Sequence, residues 1–176
     1  MNIDNELRAL VDKSLPAAEA RRLLTFAERL YARETVKNRE RVPPENRLAT
    51  AKSALEFFST RAEPVRVRVE AAAGDEALTI VETVTLDCPF IVDSLHEYFH
   101  SLGATVRSML HPVFKVARGR DGQIVSFEQK SAAERGESFI HAELELVATA
   151  ERRRKSSARL SRSCAKYIWR PAISTR

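Results

Sequence analysis

At Pro64 the apolar residues of this chain change their spacing from helical to alternating, and few folds accept that change. Upstream, Leu7, Leu10, Val11 and Leu15, then Leu23, Leu24, Ala27, Leu30 and Tyr31, recur at three- and four-residue steps, the period of one helix face, as far as about Lys37. Ser14-Leu15-Pro16 and Pro43-Pro44 interrupt the pattern, because Ser suits an N-cap and Pro a first helical turn. Leu48, Ala51, Leu55 and Phe58 then resume it, so three helices are predicted ahead of about Arg61. Downstream, Val65, Val67 and Val69 face one way and Arg66, Arg68 and Glu70 the other, as in a strand with one buried side. Ala73-Gly74-Asp75 turns the chain into a β-branched run from Leu78 to Leu86, whose apolar face is broken by Glu82.

Asp87-Cys88-Pro89 closes that strand. Pro89 is placed to begin a helix and Asp87 to cap it, giving a helix over Phe90 to Leu102 with Ile91, Leu95, Tyr98, Phe99 and Leu102 on one stripe and Gly103 at its C-cap. Thr105 to Ala117 reads as a long strand interrupted at Pro112, and Arg120-Asp121-Gly122 as a hairpin turn into Gln123 to Phe127. In Ser138 to Val147, Ile140, Ala142, Leu144 and Leu146 point inward, with His141, Glu143 and Glu145 outward. The expected class is α+β: N-terminal helices followed by a mostly antiparallel sheet with a helix on one face. The expected division is a helical region over 1–62, an α/β sandwich over 63–148 and an atypical basic tail over 149–176.

The 176 residues suffice for one domain with a helical extension. Their net charge of +5 raises the question of nucleic acid. Of 29 basic and 24 acidic residues, the segment Glu151 to Arg176 holds nine and one, so the rest carries 20 against 23. A face that grips phosphate keeps its charge on the folded body, so no nucleic-acid partner is expected. The Arg/Ser-rich end has little periodicity and reads as a frameshifted or otherwise non-native tail after about residue 150. Cys88 and Cys164 lie in no metal or redox spacing and read as free thiols of a reducing cytoplasm. No secretory h-region and no apolar run of about 18 residues is present, so no membrane partner is expected.

His96-Glu97-Tyr98-Phe99-His100 fits the H-E-x-x-H pattern, in which two helical imidazoles bind zinc and the Glu activates water. At about 100° per residue, however, His96 and His100 fall opposite the Leu95/Tyr98/Phe99 stripe, and no third ligand is evident. A zinc hydrolase is therefore the alternative reading, and the expectation is no metal and no catalytic residue. Asp87 and Asp93 flank a helix start and read as capping and solvated groups, and His111 as a packed, hydrogen-bonded side chain. No glycine-rich nucleotide motif occurs, so no cofactor is expected on this chain.

Ile80 to Ser94 (IVETVTLDCPFIVDS), Met109 to Phe114 (MLHPVF), Asp121-Gly122 and Glu137 to Glu143 (ESFIHAE) together resemble the N-terminal region of the large bacterial NAD-specific glutamate dehydrogenases, over roughly Pro44 to Val147. The resemblance implies an ACT-like, ferredoxin-like module of a much longer enzyme. That enzyme would deaminate glutamate with NAD on other parts of its chain, leaving this module a regulatory and assembly role. Its implied partners are the rest of the dehydrogenase, further copies of itself and an amino-acid effector. ACT modules bind effectors at the first strand–helix loop, here Asp87, Cys88, Pro89 and Phe90, where helix N-terminal amides suit a carboxylate. Phe90 stands where such loops usually carry Gly, which points to a packing or interface role for that ring. A ligand-free interaction domain is the third reading. The tail poorly replaces the module's second helix, so one sheet face is expected to lie uncovered and the isolated product to aggregate.

Overall fold

Prolines set the first helix boundaries in the computed structural model, which describes residues 5–72, 75–127 and 136–145. After α1 (Asn5–Ser14), Pro16 precedes α2 (Ala17–Leu30), and Pro43-Pro44 opens α4 (Pro44–Ser59), since a first helical turn loses nothing when an N–H is missing. Four helices stand here in place of the expected three. The helical spacing predicted to reach Lys37 breaks after Tyr31, and Thr35 Oγ1 accepts from Asn38 N at 3.2 Å to cap the short α3 (Val36–Arg41). At the break, Glu34 turns its side chain inward to meet Arg47 of α4 at 2.9 Å. Burial raises the pKa of that carboxyl, with Arg47 and the Asn38 amide acting against the rise.

β1 (Val65–Ala72) and β2 (Asp75–Leu86) form an antiparallel hairpin. Helix α5 (Ile91–Ser101) crosses over to β3 (Thr105–Leu110), which runs parallel to β2 with β7 (Glu137–Glu145) antiparallel between them. The sheet order is therefore β1-β2-β7-β3, with β4 (Val113–Phe114) also paired to β7. The expected strand over Thr105 to Ala117 is cut at Pro112, and its last residues open the separate hairpin of β5 (Ala117–Arg118) and β6 (Ile124–Ser126) around the predicted Gly122 turn. This is the expected α+β class with an antiparallel sheet.

Helix α5 lies on one face of the sheet, with Ile91, Leu95, Tyr98 and Phe99 of the expected stripe packed on Val81, Ile140, Ala142 and Leu144, whereas Leu102, expected on the same stripe, is the exposed C-cap residue. The other face, expected bare, carries the N-terminal helices. Phe26 of α2 stacks on Phe114 at 4.9 Å and meets Phe139 edge-on at 5.8 Å, while Phe58 of α4 lies 4.6 Å from Phe114. The outward placement expected for His141 is accordingly wrong: β7 is the middle strand of a sheet covered on both sides, and His141 is buried. The same covering explains Glu82. Arg68 donates to it from Nε at 2.8 Å and from its terminal nitrogen, and His141 Nδ1 lies 2.9 Å from its other oxygen. The break in the apolar face is thus one member of a buried Arg–Glu–His chain. The tail from residue 149, with Cys164 and Leu146, lies outside the described residues. No described helix is long and apolar enough to cross a membrane.

Candidate functional site

The chain must turn from β2 into α5 within four residues, and it does so through one strained residue. Phe90 occupies the helix cap with φ 63° and ψ 12°, and no side chain caps the helix. The cap expected of Asp87, and the helix start expected at Pro89, are therefore both corrected: helix bonding begins with Ser94 N to Phe90 O at 2.9 Å. Left-handed backbone costs a residue with a Cβ about 1–2 kcal/mol. Burial does not offset that cost here, because the Phe90 ring is 73% exposed. Asp87 instead ties the loop to the start of β7, its amide donating to Gly136 O at 2.8 Å. Cys88 is half-buried against the α5 core and Pro89 is exposed.

Beside this loop stands His111, whose Nε2 is 2.9 Å from Ser138 Oγ. Burial lowers its pKa, the Asp87 carboxylate partly opposing and Arg33 adding to the fall. Pro112 O accepts from Phe139 N at 3.1 Å, which fixes the turn carrying the imidazole. Three segments far apart in sequence, Asp87–Phe90, His111–Val113 and Gly136–Ser138, therefore meet at one end of the sheet. Chemically this end offers the first-turn amides of α5, which have no partner within the helix, together with a largely neutral imidazole. It can hold a carboxylate. The sequence placed Asp87 to Phe90 in the site and gave His111 a packing role; its hydrogen bond to Ser138 depends on the β4–β7 pairing, which no local pattern encodes.

His96, Glu97 and His100 are exposed on the outer side of α5, away from the buried stripe. Among the described residues, no three His, Cys, Asp or Glu side chains are arranged to hold a metal ion. A second polar assembly, unforeseen from the sequence, lies where α3 and α4 meet the sheet: the Arg68–Glu82–His141 chain opens into a cleft that Arg41, Arg107 and Glu143 also line.

The family model for the glutamate dehydrogenase ACT1 domain matches residues 26–160, a span that includes all of the sheet, the Asp87–Phe90 loop and His111. No curated protein and no solved structure gives a significant match. The chain belongs to the glutamate dehydrogenase ACT1-domain family.

Proposed function

We propose that the chain is a regulatory and assembly module of an NAD-dependent glutamate dehydrogenase of the cytoplasm, inert as a catalyst alone, that senses an amino-acid effector at Asp87–Phe90. NAD and glutamate would be handled by other parts of the enzyme, and this chain would carry no cofactor. The observation that carries the reading is the meeting of Asp87–Phe90, His111 and Ser138 around the start of α5. Amides at a helix N-terminus favour an anion by position and by dipole, so an effector carboxylate fits there. The exposed, strained Phe90 ring favours contact with the rest of the dehydrogenase or another copy, since nothing in the described chain compensates its backbone.

Calorimetric titration of the chain with a panel of amino acids tests the sensing role. Saturable heat is expected with at least one of them, and its weakening in His111→Gln, which removes the imidazole beside the loop. Flat titrations across the panel would leave an interaction domain without a ligand and sink the sensor. A glutamate- and NAD-dependent activity in the isolated chain would overturn the claim that it is inert.

A further inference from the structure

The outer side of α5 carries four exposed side chains that neither the core nor the Asp87–Phe90 loop employs: Asp93, His96, Glu97 and His100. The chain has four histidines. His111 and His141 face inward and are held by Ser138 and Glu82. Among the described residues, no hydrogen bond or ion pair engages His96 or His100. Both rings are therefore free to take a ligand.

Their spacing suits one ion between them. Four residues advance a helix by about 400°, so the two side chains leave it only about 40° apart and one turn above one another. Their Cβ atoms then stand about 5–6 Å apart, a gap that two imidazoles close around an ion with nitrogen ligands at about 2.0–2.1 Å. The turn bearing them is fixed from beneath. Leu95 and Phe99, their neighbours in sequence, are both 0% exposed in the α5 core. The backbone is thus ordered before an ion arrives, and binding loses little entropy there.

Charge favours a cation on this face. Between Arg68 and Arg107 the sequence holds neither Lys nor Arg, although the chain has 29 of them, so α5 meets a dication with the carboxylates of Asp93 and Glu97 alone. His100 also lies in the last turn, at the negative end of the helix dipole. Imidazole nitrogens select zinc, nickel and copper over magnesium and calcium, which take oxygen. Two protein ligands fall short of the three that a hydrolytic zinc uses, and an exposed face excludes no water, so the ion is structural here. We propose that His96 and His100 form an exchangeable two-imidazole site for a divalent transition-metal ion, which clamps the last turns of α5 and leaves its other positions to water. The site does not depend on effector binding at the Asp87–Phe90 loop.

The test is calorimetric titration of the whole chain with zinc(II) and nickel(II), paired with thermal melts at rising ion concentration, at about pH 7.5 because a metal takes the unprotonated ring. Saturable binding and a midpoint that climbs with ion concentration are expected, with no such climb for magnesium or calcium. His96→Gln and His100→Gln lie on an exposed face and spare the fold. Each should weaken the ion at least about tenfold, the least that losing even an outer partner of a metal ligand costs. His100→Gln combined with Ser101→His keeps two histidines but sets them five apart, about 140° around the helix, and should bind no better than His100→Gln alone. No binding with the ion in large excess, or an equal effect of magnesium, would overturn the proposal. So would full affinity in either single variant, which would assign the ion to a cysteine, or full affinity in the displaced pair.

Discussion

Glu137 is a buried carboxylate held by two arginines, with Arg118 Nε at 2.9 Å and a terminal nitrogen of Arg61 also at 2.9 Å. Burial alone would raise its pKa, but the two guanidiniums more than offset this and hold it below the ordinary value. Its stabilisation is therefore full above the unfolded value, about 4.5, and lost as pH falls through the lower folded one. Glu137→Gln should cost about 3–5 kcal/mol at neutral pH by leaving the arginines unpaired, with the gap to the parent chain narrowing in acid; urea melts across pH measure both. His111 acts higher on the scale. Its folded pKa is depressed, so the unfolded chain protonates first and stability should fall as pH drops below about 6.5, a slope that His111→Gln should flatten. Neither role is local in sequence. Glu82 was visible as an interruption, yet its partners sit at positions 68 and 141, so its purpose needed the fold.

Elements were legible where one face alone decides their period. The α5 stripe, the β1 alternation and the Gly122 hairpin all follow from residue spacing and turn chemistry. Helix α3 was not, because its six residues bury none of their side chains and so leave no periodic trace. At the hairpin, Gly122 has φ 77°, and a Cβ there would meet Arg61 O at 2.5 Å. Gly122→Ala should cost about 2–3 kcal/mol by thermal melting, from backbone strain and the displaced contact. The opposite sign holds at the start of α5. Phe90→Gly should stabilise the isolated chain by up to about 1 kcal/mol, since the relieved strain exceeds the entropy that Gly adds to the unfolded state. A loss of stability would mean that the ring packs in solution.

At the scale of the molecule, the helices and one sheet face share a single apolar cluster that runs from Leu7 through Phe26 and Phe58 to Phe114 and Phe139. Phe26→Ala should cost about 3–5 kcal/mol and shift helix and sheet signals at one common midpoint; two separated transitions would show that the halves fold independently. The covering of the second face was not legible, because a strand's alternation says which side is apolar and not which helix arrives to cover the other. His141 and Glu143 read as solvent-facing for that reason.

β7 is the seam of the sheet, since β2, β3 and β4 all bond to it and to no later described strand. A nascent polypeptide that has emerged only as far as Phe127 has its helices and its first hairpin but nothing to join β2 to β3, and Phe26 and Phe58 lack the Phe139 ring they close upon. Ribosome-stalled chains ending at Phe127 should be cleaved rapidly by protease, and those carrying the sequence through Glu145 beyond the exit tunnel should resist it. Synthesis order thus makes the fold wait for its centre, which leaves the growing chain dependent on escaping capture until β7 emerges.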